Sequence, residues 1–486
     1  MSYPAQAQTP SPTSPTSQHR SRHGADPSPS QPTSRPSPFS KEAIIARPGF
    51  NRWMVPPAAL AVHLCIGQAY AFSVFNEPLT RILGVTQSAP GDWQLTTLGW
   101  VFSLAIFFLG ISAAFAGKWL EKVGPRRTMF TAACCFGGGF VVSALGIWLH
   151  QIWMLYLGYG VLGGIGLGLG YVSPVSTLIR WFPDRRGMAT GMAIMGFGGG
   201  AMIGAPLSVA LMNHFKTATS AGVAETFLVM GLIYFISMSI GALAIRIPAP
   251  GWTPPGYVPP SKPSKMVTHA NVHIDQALKT PQFYLLWLIL FLNITAGIGV
   301  LGQAAVMIQE TFKGTITAAA AAGFVGLLSI GNMTGRFLWS SASDYFGRKI
   351  TYAIFFAFGA ALYMAVPAVG ASGNVTLFVV CYFLILTMYG GGFSTIPAYL
   401  ADMFGTAYVG GIHGRLLTAW AAAGIAGPAL VNYIREYKLA LGVPRSEVYV
   451  DTLHIMAGLL VVGFACNLLM RPVHARHHLR EAASAA

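Results

Sequence analysis

Apolar residues in this chain come in long runs of about twenty, separated by short breaks rich in charge, glycine or proline. Wound as an α-helix, a run of that length crosses a hydrocarbon core of about 30 Å. Twelve runs stand out, approximately 53–76, 95–116, 127–149, 152–179, 187–212, 225–247, 281–308, 318–342, 350–370, 374–401, 410–434 and 452–471. They predict an all-α membrane protein with twelve transmembrane helices. The ends differ. Residues 1–40 are Ser- and Pro-rich, hold no apolar stretch and lack a signal peptide's apolar region, so 1–50 reads as a disordered cytoplasmic tail. A Pro-rich linker follows at 248–280, and 472–486 form a second short tail.

Composition agrees with the pattern. Only 9% of residues are Asp, Glu, Lys or Arg, against about 25% in soluble domains, and mean hydropathy is +0.55. The net charge of +15 is an orientation signal. With the N-terminus inside, 23 of the 30 Lys and Arg fall on segments on the inner side, six on the opposite loops, and Arg336 within a span. That asymmetry predicts cytoplasmic termini and excludes nucleic acid as the reason for the basicity. The five cysteines (Cys65, Cys134, Cys135, Cys381, Cys466) all lie in predicted spans and read as small buried apolar residues. Neither a metal-ligand spacing nor a cofactor motif is present. Glycines at 158–171 mimic a dinucleotide loop but follow no strand, so they read as close helix packing.

The chain repeats itself. A shift of 223 residues places Glu121 on Asp344, Gly124 on Gly347 and Arg126 on Lys349; it also places Pro174 on Pro397 and Gly204 on Gly427. The runs therefore divide into two six-helix bundles, 53–247 and 281–471. Two parallel six-helix repeats are the layout of major facilitator transporters, with the substrate site between the halves. The loop segments GKWLEKVGPRR (117–127) and SDYFGRK (343–349) resemble that superfamily's motif after its second and eighth helices. Their acids and bases (Glu121, Arg126, Asp344, Arg348, Lys349) are expected to pair across helix ends as a latch that alternates between two states. Three longer segments, 171–207, 279–299 and 331–349, resemble the oxalate/formate antiporter branch, which also contains monocarboxylate transporters.

Arg336 is the main candidate for chemistry. It lies eight residues before Asp344, roughly 12 Å along a helix, where a cation in hydrocarbon costs about 2.5–3.5 kcal/mol or more. Guanidinium is always charged, and its planar fork meets a carboxylate through two bonds. The structural alternative is an arginine snorkelling toward the surface, but a side chain's reach is short of 12 Å. Its repeat mate is Ala113, so no duplicated scaffold role demands a cation here. Resemblance to the antiporter branch implies that Arg336 binds a substrate carboxylate. That branch's oxalate exchanger adds a lysine in the eleventh helix, whereas this chain has Ala419 and Trp420 near the matching place. A single central cation matches a monoanion better than a dianion in low dielectric. The expected cargo is therefore lactate, pyruvate or formate, with oxalate/formate-type exchange or another organic solute as alternatives.

The rest of the expected pocket is Gln68, Tyr70, Tyr171, Asn293, Thr295, Tyr389 and Trp420, each of which also suits plain interhelical bonding. His63 is the candidate for proton coupling, since imidazole titrates in the useful range; neutral packing is the alternative role. The expected partners are a small organic anion, possible protons and the lipid bilayer, with a monomer as the functional unit in a bacterial inner membrane. An enzyme would need clustered acids, histidines or metal ligands, which the sequence lacks, and a sensor would need a folded output domain.

Overall fold

The computed structural model describes residues 37–258, 266–268 and 270–479. The first 36 residues of the expected tail, linker residues 259–265 and 269, and C-terminal residues 480–486 lie outside the described residues. Twelve long helices are numbered here in chain order: α1 (Arg52–Leu79), α2 (Leu95–Val123), α3 (Pro125–Trp148), α4 (Ile152–Trp181), α5 (Arg186–Phe215) and α6 (Val223–Ala244). They continue with α7 (Pro281–Thr311), α8 (Ala318–Phe346), α9 (Arg348–Ala371), α10 (Val375–Phe404), α11 (Val409–Ala440) and α12 (Val450–Leu468). Each covers one predicted run. All except α8 are long and apolar enough to cross a membrane by composition. Helix α8 has 29 residues and is about 43 Å long at 1.5 Å per residue, so length qualifies it too.

Local chemistry fixes the ends. The side chains of Thr280, Thr317 and Asn374 accept backbone N–H groups in the first turns of α7, α8 and α10. Gly124 and Gly347 end α2 and α8 with φ of +84°, a conformation that glycine adopts freely. The 223-residue offset is thus carried into the backbone.

Helices α5 and α8 pack closely, as do α2 and α11. A Cβ on Gly191 of α5 would lie 2.9 Å from the Arg336 carbonyl oxygen, and one on Gly414 of α11 would lie 2.1 Å from that of Ala113. These two glycines are themselves repeat mates, so both crossings depend on a bare backbone at the same place. Three helices depart from regular winding. Helix α1 tightens to a 3-10 helix over Gly67–Phe75, α4 widens to a π-helix over Tyr156–Gly163, and α11 is interrupted at Leu417. The glycine run at 158–171 lies within α4, as expected of helix packing.

Two expectations need correction. Cys134 is exposed and Cys135 half-buried, because that face of α3 points away from the bundle; only Cys65, Cys381 and Cys466 are buried. Residues 38–50 of the expected disordered tail are also packed. Ile44 is buried, Ile44 and Ala46 pair with Ile247 through backbone bonds, and Lys41 donates to the Glu121 carbonyl. Part of the linker docks as well. Val272 bonds to the Phe404 carbonyl and pairs with His478 near the C-terminus, while Trp252 packs on Trp181.

Candidate functional site

Arg336 is fully buried in α8, so it does not snorkel. Glycine makes room for it: a Cβ on Gly198 of α5 would come within 3.1 Å of Arg336 Cδ and Nε. Its Nε donates to Oδ1 of Asn332, one turn earlier, at 3.1 Å, and Nη1 reaches the Ile194 carbonyl at 3.5 Å. The guanidinium carbon lies 4.9 Å from the Phe393 ring centre and 5.6 Å from that of Phe197. Cation–π attraction holds the group in an apolar setting without neutralising it. Nη2 has no hydrogen-bond partner among the described residues. A buried, unneutralised guanidinium with a free donor is costly unless an acceptor joins it.

The aromatic wall around it comes from helices that are distant in sequence. Trp420 stands just after the interruption in α11; its ring centre is 4.6 Å from Phe393, 5.3 Å from Phe197 and 5.4 Å from Tyr171. Tyr70, on the 3-10 stretch of α1, meets Phe197 at 5.1 Å, and Tyr389 of α10 meets Phe393 at 5.3 Å. The hydroxyls of Tyr70 and Tyr171 face the guanidinium, and that of Tyr389 is next to Tyr70. These three hydroxyls and Trp420 Nε1 are buried, and none of them makes a well-aligned hydrogen bond among the described residues. Several donors thus converge around one cation, a set suited to a carboxylate.

Of the expected pocket, Arg336, Tyr70, Tyr171, Tyr389 and Trp420 come together. Gln68 does not join them: it accepts from Tyr159 at 3.2 Å and packs against Gly204. Asn293 sits against Gly392 and lines a cavity of about 10 Å³ with Tyr389. Thr295 bonds within its own helix, to the Phe291 carbonyl. His63 is fully buried beside Tyr171, with Nδ1 2.5 Å from the Ala193 carbonyl oxygen and Nε2 3.2 Å from that of Tyr171. A carbonyl only accepts, so a protonated ring can satisfy both contacts and a neutral ring one. Sequence reasoning missed Phe197, Phe393, Asn332 and His413, the last of which also packs on Tyr171. Asn332 stands at i−4 from Arg336, and that spacing could have flagged it.

The latch forms differently from expectation. Asp344 accepts the backbone N–H groups of Gly187 and Met188 at 2.8 and 2.9 Å, so it caps α5, and it pairs with Arg348 at 2.6 Å. Arg348 and Arg186 both pair with Asp402 of α10, at 3.0 and 2.9 Å. Glu121 pairs with Arg180 at 2.6 Å, and Arg180 also reaches the Ala407 carbonyl. Arg126 and Lys349 take no acidic partner among the described residues. Arg126 donates to the carbonyls of Pro38, Leu243 and Ile245, and Lys349 to those of Leu468 and Met470. Both serve as pins between a helix start and neighbouring chain ends, which any carbonyl can satisfy.

Comparison with known proteins supplies the frame for this site. The family model described as Major Facilitator Superfamily matches residues 52–428. The "Oxalate:formate antiporter" of Oxalobacter formigenes is 28% identical over 387 residues, covering 78% of this chain and 84% of that protein. "Apicoplast pyruvate carrier 1" of Toxoplasma gondii is 24% identical over 409 residues, 72% of each chain. A solved major facilitator transporter, FucP in its outward conformation, aligns over 85% of this chain and 99% of its own with a TM-score of 0.60 at 14% identity, a likeness of fold.

Proposed function

The chain belongs to the Major Facilitator Superfamily, and from that premise we propose that it carries a small monocarboxylate such as lactate, pyruvate or formate. It is a multi-pass membrane transporter and not an enzyme. The observation that carries the substrate proposal is Arg336: a fully buried guanidinium with a free Nη2, faced by the hydroxyls of Tyr70 and Tyr171 and by no carboxylate among the described residues. Trp420, near the place where the resemblance puts the oxalate exchanger's lysine, contributes an aromatic wall and a single N–H. One cation balances one carboxylate; a dianion would leave a second charge uncompensated in low dielectric. Likeness to proteins named for oxalate, formate and pyruvate supports this class of cargo. It also supports a second reading, exchange of oxalate for formate.

Transport follows by alternating access. The bundles 53–247 and 281–471 rock about Arg336, and the Asp344–Gly187 cap and the Arg186–Asp402 pair release as the motif face opens. Movement is by proton symport, with His63 as the carrier between two carbonyls, or by anion exchange. We place both termini on the cytoplasmic side of a bacterial inner membrane, on the Lys/Arg asymmetry, and take a monomer as the functional unit. Uptake of labelled lactate, pyruvate, formate and oxalate into vesicles holding the purified protein, with and without a pH gradient, tests the reading. Monocarboxylate uptake above oxalate is expected, and acceleration by an inward proton gradient selects symport. Oxalate transport exceeding all three monocarboxylates overturns the monoanion proposal.

A further inference from the structure

Away from Arg336, at the Asp344 end of the helices, a groove of about 470 Å³ opens between α2, α7 and α11. Ala114 forms one wall, Leu278 of the linker and Phe283, Tyr284 and Trp287 of α7 the others, and Arg415 stands at one end. The walls are almost wholly apolar. Trp287 has already placed its N–H on the Thr418 hydroxyl at 2.9 Å, so it offers the groove little beyond its ring. Arg415 is different. Its Nη2 lies 3.5 Å from Asp275, which Lys118 also holds at 2.7 Å, so one carboxylate is shared by two cations. Its Nη1 is buried and has no hydrogen-bond partner among the described residues.

An apolar trough ending in an unspent guanidinium donor and a net positive charge has the chemistry of an amphiphile site: a hydrocarbon chain with an anionic head. Tyr284, 57% exposed, and Trp287 stand in the first two turns of α7, where aromatic side chains mark the membrane–water boundary. Basic pockets between helices at that level attract anionic headgroups. We propose that this groove binds an anionic phospholipid, with its phosphate on the accessible edge of the Arg415 guanidinium and an acyl chain along Leu278, Phe283 and Trp287. A soluble anion would gain the charge but nothing from the walls. Because the groove is built from α2 and α11 together with the linker, a bound lipid favours the arrangement in which these helices meet, and it links membrane composition to the gate.

Native mass spectrometry and thermal melts of the full-length protein in detergent test this, with added phosphatidylglycerol, phosphatidylcholine or inorganic phosphate. The expected result is preferential retention of phosphatidylglycerol, with a matching rise in melting midpoint. Arg415→Gln should weaken that retention about five-fold, the value of one basic contact near a lipid surface. Asp275→Asn frees both cations and should strengthen it, the reverse of what a merely structural loss would do. Equal retention of phosphatidylcholine, an equal midpoint rise with inorganic phosphate alone, or an Arg415→Gln protein with undiminished preference overturns the proposal. If Arg415→Gln does not survive purification, Asp275→Asn decides: no gain in preference is a negative result.

Discussion

Two helix crossings in this molecule are related by the same 223-residue offset, and their differences are instructive. Where α2 meets α11, Gly414 lies against the Ala113 carbonyl, and Ala421 fills the space opposite Gly110. Where α8 meets α5, Gly191 lies against the Arg336 carbonyl, but Gly198 leaves open the space that Ala421 fills in the other crossing, and Met333 replaces Gly110. One crossing is closed by small residues on both sides. The other trades a methyl group on α5 for a large side chain on α8, and that trade lets a guanidinium lie between the helices. The duplicated frame supplies close approach, and a local exchange of volume supplies the charge.

Putting the cation into the closed crossing should have the largest effect. Ala113→Arg adds overpacking of about 1–3 kcal/mol to a mid-span charge of about 2.5–3.5 kcal/mol or more. The sum approaches the whole stability of a modest domain, about 5 kcal/mol. No monodisperse protein should be recovered by size-exclusion chromatography, and a well-folded, active Ala113→Arg would break the comparison.

The capping ends should differ next. Asp344 accepts two backbone N–H groups and pairs with the buried Arg348, whereas among the described residues Glu121 has one arginine and its Oε1 no partner. Asp344→Asn is expected to cost about 2–4 kcal/mol, since it removes charge from a nearly buried pair. Glu121→Gln should cost less, about 1–2 kcal/mol, since it weakens one part-buried ion pair and removes no helix cap. Hydrogen exchange at residues 187–190 reads the difference: it should rise strongly in the first variant and little in the second.

Smaller still is Gly198→Ala, which gives α5 the methyl group that α11 has at Ala421. Its Cβ would stand 3.1 Å from Arg336 Cδ and from the Met333 backbone, so α8 or the guanidinium has to shift. About 1–2 kcal/mol of strain corresponds to a five- to thirtyfold rise in KM for carboxylate uptake, with the amount of inserted protein unchanged. An unchanged KM would show that the open space is incidental.

Much of the frame was legible in the sequence because a membrane span must satisfy its own backbone, which ties helix length directly to run length. The repeat was legible because Gly124 and Gly347 hold positions only glycine takes easily. Arg336 was legible because charge is rare in such runs. Its aromatic collar was not: Phe197 and Phe393 look like any lipid-facing phenylalanine until α5 and α10 are brought to α8. Gln68 stands apart from the collar because its Oε1 accepts from Tyr159, a contact that its depth in the run does not reveal. Arg126 and Lys349 were misread for a similar reason, since their carbonyl partners leave no trace in side-chain identity. The Asp402 contacts join segments more than fifty residues apart, and periodicity says nothing about them.

The central claim is that the Arg336 guanidinium holds the cargo's carboxylate. Its most direct test is uptake of labelled monocarboxylate by vesicles containing equal amounts of wild type, Arg336→Lys and Arg336→Ala, with insertion checked by protease protection. Uptake should vanish in Arg336→Ala and fall steeply in Arg336→Lys, which keeps the charge but loses the planar fork. Wild-type uptake by a fully inserted Arg336→Ala protein would contradict the account.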